Sequence, residues 1–293
     1  MLEISDIRDA TARFGYGGDA LNTAIYLARS GRKPEFVSAL GDDAFSTSLR
    51  AKWNEEGVGL DHCLTVEGGK PGLYAISVDA DGERRFTYWR SDSAARRFFE
   101  HEDASVVIEA MERAEFLYLT GITLSILTPS GRTQINKILM TARAKRGEVA
   151  FDINYRPSGW ASLEEARRSI AAAQERVSIG FVSTEDWALL HGTADAPAIA
   201  EDWRAKGCRE VIVKDGARGC YLLTDEESRW VSPQSVVSPV DTTGAGDAFN
   251  GAYLASRAKG DSPLRACEAG NALAARVTLF PGAIIPREDT SAQ

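Results

Sequence analysis

Short apolar runs and amphipathic stretches take turns along most of this 293-residue chain, and that alternation is the tightest constraint on its fold. Phe36–Leu40, Phe116–Leu119, Val149–Ile153, Gly180–Val182 and Val211–Val213 read as short buried strands. Between them, Leu21–Ser30, Ile135–Lys145 and Glu164–Gln174 carry apolar residues at helical spacing. A strand, a crossover helix and a second strand make a βαβ unit, which sets strands parallel and places helices on both faces of the sheet. The expectation is a single α/β domain over residues 1–293 with a mostly parallel central sheet. One region breaks the rhythm. From Asp61 to Arg90 there is no helical period, but Gly72–Val78 and Arg84–Arg90 read as strands, with Asp79–Gly82 as the hairpin turn between them. Their polar positions suit an antiparallel sheet with one wet face, so residues 61–92 are expected to form a small β lid.

Composition narrows the partners. A formal charge of −8 argues against nucleic acid, and no apolar run approaches the roughly 20 residues that span a bilayer. The opening residues lack the basic and then apolar order of a signal peptide, so a cytoplasmic protein with no membrane partner is expected. Cys63, Cys208, Cys220 and Cys267 show no CxxC spacing, and His62, His101 and His191 are scattered, which points to reduced structural thiols rather than zinc ligands.

Four stretches carry chemistry. In Val240–Gly251, two glycines flank an alanine, a carboxylate follows, and a helical apolar stripe starts at once. The first N–H groups of such a helix have no partner within it and suit a phosphate. Asp247 could take a proton from an alcohol held beside that phosphate, or could simply cap the helix. On a strand, Phe86, Tyr88 and Arg90 share one face. Tyr88, Arg90 and a neighbouring Tyr74 suit a polyhydroxy ligand with a carboxylate; the same pattern also suits a solvated sheet edge. Asp152, Asn154 and Arg156 follow the carboxyl end of a strand, where ligands bind in open α/β sheets, although Arg156 could equally be a surface ion-pair residue. Lys214–Gly219 is a glycine-rich hairpin, and its glycines would also let a flat nucleotide lie against backbone. Gly15–Ala20 matches the dinucleotide pattern GxGxxA, but no buried strand precedes it, and a Walker A sequence is missing.

Together these stretches resemble the ribokinase-like (PfkB) family of carbohydrate kinases. Gly17-Gly18-Asp19-Ala20-Leu21-Asn22 is similar to its N-terminal signature and Asp241-Thr242-Thr243-Gly244-Ala245-Gly246-Asp247 to its C-terminal one. Gly72–Tyr74, Thr87–Arg90 and Asp152–Arg156 look most like the members that act on 2-keto-3-deoxygluconate. The resemblance implies a ribokinase-like three-layer α/β fold with a β lid that often forms a dimer contact, and so a homo-oligomer. It implies transfer of the ATP γ-phosphoryl group, with Mg2+, to the 6-hydroxyl of that sugar acid. Asp247 would be the base, and the Gly244, Ala245 and Gly246 amides the anion hole. Gly18 and Asn22 would hold sugar hydroxyls, with Tyr74, Tyr88, Arg90 and Arg156 completing the sugar-acid site. Lys214, Gly216, Gly219 and Asn271 would lie along the nucleotide. The family's metal-linked Asn-x-x-Glu stands here as Ser183-Thr184-Glu185-Asp186, leaving Asp186 to act on magnesium through water. The family also opens with a central-sheet strand carrying Gly-Glu or Gly-Asp; too few residues precede Gly17 to supply it, and a coding region that starts further upstream is expected. Rival readings are a fructokinase or ribokinase of the same family and a catalytically dead module that senses sugar or ATP.

Overall fold

A computed structural model describes residues 1–8, 11–78, 84–235 and 237–287. Its strands are β1 (Leu2–Arg8), β2 (Thr11–Tyr16), β3 (Ser38–Leu40), β4 (Cys63–Thr65), β5 (Leu73–Val78), β6 (Arg84–Trp89), β7 (Phe116–Thr120), β8 (Glu148–Asp152), β9 (Ile179–Ser183), β10 (Glu210–Lys214), β11 (Cys220–Leu223) and β12 (Ser228–Val231). Its helices are α1 (Asp19–Arg29), α2 (Ala44–Glu55), α3 (Ala104–Arg113), α4 (Gly121–Ile126), α5 (Pro129–Ala144), α6 (Leu163–Gln174), α7 (Thr184–His191), α8 (Ala196–Ala205), α9 (Ala245–Arg257) and α10 (Pro263–Val277).

The central sheet has six strands in the order β12-β11-β10-β9-β8-β7. β7 to β10 are parallel, and the short hairpins to β11 and β12 turn its far edge antiparallel. Alternation along the parallel strands sends side chains to two separate cores. Val149, Phe151, Val182, Val211 and Val213 pack with α5, α6, α7 and α8, while Ala150, Phe181 and Ile212 pack with Phe249, Tyr253 and Leu254 of α9 and Cys267 of α10. Strands buried on both faces read as unbroken apolar runs, which is why they were legible as such. Helix starts are locally encoded: Thr128 accepts the Gly131 N–H ahead of Pro129, and Ser162 and Ser262 cap α6 and α10 the same way.

The lid differs from the expectation over 61–92. Its sheet has four strands in the order β2-β1-β5-β6, so it draws in the opening residues, while Cys63–Thr65 leaves it to pair with β3 in a separate two-stranded sheet. The register sets Glu3 beside Tyr74 and Tyr74 beside Tyr88. The Gly15–Ala20 segment follows an exposed lid strand rather than a buried one, so the context for a dinucleotide site is absent. The expected turn at Asp79–Gly82 lies outside the described residues. Likewise the opening residues serve the lid and not the central sheet, whose last strand is β7.

Candidate active site

Asp247 lies in the first turn of α9, and Gly244, at φ 74°, is the residue that starts the helix. The capping alternative therefore fails: Asp247 is inside the helix and its carboxylate is free for other work. The loop before it is fixed by Asp241, whose Oδ1 accepts from the N–H and hydroxyl of Thr243 at 3.0 and 2.7 Å. A side chain at Gly244 would run into Ala283, so both its left-handed backbone and its close approach require glycine. Lys214 reaches this helix start from β10; its Nζ lies 3.3 Å from where a Cβ on Gly246 would sit. Gly244, Ala245, Gly246, Lys214 and Asp247 thus lie together at the start of α9.

Asp247 is surrounded by carboxylates. Burial raises its pKa from 3.8 to about 8, and Asp19 and Asp152 push in the same direction, against a hydrogen bond from Asn22 and the charge of Lys214. Asn22 Nδ2 donates to Asp247 Oδ2 at 2.8 Å, while Asn22 Oδ1 is buried with no protein partner among the described residues. An acceptor left bare in that way is open to a hydroxyl or a water. Asp19 accepts from the Thr120 hydroxyl and from Asn154 Nδ2 at 3.4 Å. Asn154 itself is held at φ 27°, a backbone conformation that non-glycine residues rarely adopt. Beneath them, Asp152 Oδ2 accepts from Lys214 Nζ at 2.9 Å and from Asn250 Nδ2 at 2.6 Å, and Asn250 also donates to the Tyr118 hydroxyl at 3.0 Å.

The lid brings the expected aromatic and basic groups over this site. Tyr74, Phe86 and Tyr88 form one ring cluster, with centroids 6.1 to 6.3 Å apart. Arg90 stacks on Tyr88 at 4.7 Å and makes no ion pair among the described residues. The Tyr74 hydroxyl crowds Gly17 and donates to Glu3, which holds it beside the Gly17-Gly18 turn and Asn22. Arg156 and Asp186 were read as separate substrate and metal residues, and the structure joins them: Arg156 Nη1 donates to Asp186 Oδ1 at 2.9 Å. Ser183 caps α7 by accepting the Asp186 N–H at 3.0 Å. On the far side of the loop, Gly219 and Asn271 meet; Asn271 Nδ2 donates to Val231 O at 2.8 Å beside a cavity of about 210 Å3, and Gly216 lies in open space.

Asp19, Asn250, Tyr118 and Glu3 belong to this network but were not singled out from the sequence as site residues, and Asp152 was noted at its strand end without a role of its own. Asp19 stands inside the Gly-Gly-Asp motif and Asp152 ends a buried strand, so a signal existed for both. Tyr118 and Asn250 sit mid-element with no local mark. No group of three potential metal ligands occurs among the described residues. Asp186 and Asp152 are each already paired with a cation, Arg156 and Lys214, so neither is a bare carboxylate for direct metal ligation, a setting compatible with a magnesium ion carried mainly on phosphates.

The model of the pfkB family carbohydrate kinases matches residues 3–290. The chain belongs to that family. The 2-dehydro-3-deoxygluconokinases of Dickeya dadantii (strain 3937) and Escherichia coli (strain K12) are each 38% identical to it, over 98% of this chain and 95% of theirs. The fructokinase-1 of Oryza sativa subsp. japonica is 31% identical over 81% of this chain and 72% of its own. Among solved structures, a PfkB protein from Polaromonas sp. JS666 superposes with a TM-score of 0.84 at 25% identity, covering 97% of this chain and 94% of that one. The 2-dehydro-3-deoxygluconokinase of Thermotoga maritima does so at 0.83 and 22%, covering 97% and 92%. Those superpositions establish the ribokinase-like α/β fold.

Proposed function

We propose that this PfkB-family kinase phosphorylates 2-keto-3-deoxygluconate on its 6-hydroxyl, using ATP and Mg2+. The observation that carries the reading is Asp247, buried at the start of α9, held by Asn22 and faced by the glycine-rich helix start. Curated relatives named 2-dehydro-3-deoxygluconokinase, matched over nearly the whole chain, support the substrate, and Arg90, stacked on Tyr88 and in no ion pair among the described residues, supplies a cation for a carboxylate. Relatives solved with ATP, among them a fructokinase from Xylella fastidiosa, support the nucleotide.

Asp247 Oδ1 takes the proton of the 6-hydroxyl as that oxygen forms its bond to the γ-phosphorus. The bond from γ-phosphorus to the β–γ bridging oxygen breaks, and ADP leaves with the electron pair. Phosphoryl transfer asks the protein mainly for position and charge. Amides at Gly244, Ala245 and Gly246, with Lys214, meet charge on the transferring group. Asp152 and Asn250 hold Lys214 in place from below. Magnesium, when bound, neutralises phosphate charge, and Asp186 is the residue to touch it through water. Gly18 and the bare Asn22 Oδ1 receive sugar hydroxyls; Tyr74, Tyr88, Arg90 and Arg156 receive the acid end; Gly216, Gly219 and Asn271 line the nucleotide.

A second copy of the chain covers the outer lid face, where Phe14 and Trp89 are each 56% exposed. The enzyme works in the cytoplasm, in keeping with four unpaired cysteines; among the described residues no helix is long and apolar enough to cross a membrane. The test is coupled ADP release with 2-keto-3-deoxygluconate, fructose and ribose. Strong preference for the acid is expected. Preference for a neutral sugar would move the chain to the fructokinase branch, and silence with every sugar would favour a sensor.

A further inference from the structure

Tyr74 stands apart from the other groups over the site because its proton is already committed. Glu3 of β1 and Tyr74 of β5 are register partners in the lid, and the Tyr74 hydroxyl donates to Glu3 Oε2. An ionised carboxylate has only lone pairs to offer, so the phenol is the donor of that bond. Burial, followed by the charge and hydrogen bond of Glu3, pushes the Tyr74 phenol well above its usual range, so it keeps this proton. What Tyr74 turns toward the site is therefore an acceptor only.

Two glycines clear the space for this pair. A Cβ on Gly15 would sit 3.2 Å from Glu3 Oε1, and one on Gly17 would run into the Tyr74 hydroxyl. The same point at Gly17 lies 3.7 Å from Asn22 Oδ1, the buried acceptor with no protein partner among the described residues. Gly15-Tyr16-Gly17 thus has a use unrelated to a dinucleotide: it lets a second acceptor come down beside the first. Two buried acceptors side by side repel a carbonyl or carboxylate oxygen and are satisfied by hydroxyl protons.

The polar groups also come in a linear order. Asn22 Nδ2 donates to Asp247 Oδ2 at 2.8 Å, and Asn22 Oδ1 shares the Gly17 corner with the Tyr74 hydroxyl. The Tyr74 ring lies 6.1 Å from that of Tyr88, and Arg90 stacks on Tyr88 at 4.7 Å. A 2-keto-3-deoxygluconate molecule has its reacting 6-hydroxyl at one end, its carboxylate at the other, and the 5- and 4-hydroxyls between them. With the 6-hydroxyl on Asp247 and the carboxylate on Arg90, the 5-hydroxyl falls to Asn22 Oδ1 and the 4-hydroxyl to Tyr74.

We propose that Glu3 is a positioning residue that sets substrate specificity: by taking the proton of Tyr74, it makes the tyrosine an acceptor for the 4-hydroxyl of the sugar acid, the one centre at which the gluconate and galactonate forms differ. That role rests on the sugar-acid reading above and narrows the part Tyr74 plays in it, from the acid end as a whole to the hydroxyl nearest the acid. Tyr88, Arg90 and Arg156 remain for the carboxylate and keto oxygens. A 4-hydroxyl of opposite configuration points away from Tyr74 and leaves that acceptor buried and bare, which weakens binding.

The experiment measures coupled ADP release with 2-keto-3-deoxygluconate and with its 4-epimer, 2-keto-3-deoxygalactonate. It compares wild type, Glu3→Ala, Glu3→Gln, Tyr74→Phe and the double variant Glu3→Ala/Tyr74→Phe. Wild type should favour the gluconate form in kcat/KM by about tenfold or more. Glu3→Ala and Tyr74→Phe should each raise KM for that form by about tenfold, lower kcat far less, and erase most of the epimer preference. Glu3→Gln, whose side-chain carbonyl still accepts the Tyr74 proton, should recover most of it. The double variant should be no worse than Tyr74→Phe alone, since Glu3 acts only through the phenol. Thermal melts without substrate check folding; if Glu3→Ala unfolds, Glu3→Met, which fills similar space, replaces it in the cycle. Additive losses in the double variant, or equal losses for Gln and Ala, would show that Glu3 merely holds the lid together and would overturn the proposal. So would an epimer ratio that no variant moves while wild type turns over the acid. Wild type silent on both acids but active on fructose would instead sink the sugar-acid reading, and this assignment with it.

Discussion

Replacing Asp247 with Asn should stop turnover and yet make the protein more stable, increasingly so as pH rises. The unfolded carboxyl loses its proton near 3.8, whereas the folded one keeps it to about 8 because burial, Asp19 and Asp152 all oppose a charge there. Between those values the native state binds more protons than the unfolded one, so its stability falls with pH. Any contribution from this group is complete below 3.8 and lost as pH rises through 8. Each pH unit inside the window is worth about 1.4 kcal/mol. From pH 5 to 8 wild type should therefore lose about 4 kcal/mol relative to a variant that does not titrate. For a chain of this size that is a gap in Tm widening by roughly 10 °C. Asparagine is nearly isosteric and can still accept the Asn22 N–H, so packing changes little. The assay is paired thermal melts of Asp247→Asn and wild type, without ligands, across this range, beside ADP release at each pH. A Tm gap that stays constant with pH would refute the claim that burial and like charge raise this carboxyl.

Three further outcomes follow from the same site. The ligand-free enzyme's kcat/KM should rise with pH toward about 8, as Asp247 loses its proton, and Asn22→Ala should move that limb higher because a bond that favours the charged form is gone; an unmoved profile would contradict the Asn22 contact. Arg90→Ala should raise KM for the keto-deoxy acid by about 10- to 100-fold, with far less effect on a neutral sugar, and equal effects on both would refute a carboxylate role. Asp152→Asn should cut kcat by about tenfold or more while leaving KM for the sugar acid nearly unchanged, since it loosens Lys214 over the helix start rather than the sugar site; a loss confined to the sugar KM would show that Asp152 acts elsewhere.

Much of this protein is local, and local features were legible. Val149–Ile153 and Val211–Val213 are apolar at every position because both faces are covered, and Ser162 and Ser262 mark helix starts by bonding within one turn. The Asp241–Asp247 loop is likewise a property of consecutive residues: glycine at φ 74° and a carboxylate one turn on. Tyr88 and Arg90 share a face by strand parity alone. Tertiary structure decided what depends on partners far apart in the chain. It brought Leu2–Arg8 and Thr11–Tyr16 into the lid, paired Arg156 with Asp186, and set Asp19 and Asp152 close enough to Asp247 to change its charge. Hydrogen-bond and Coulomb energies depend on distance in space, and distance along the sequence carries no record of it; the pKa of Asp247 is therefore a property of the fold, while its place at a helix start is a property of the sequence.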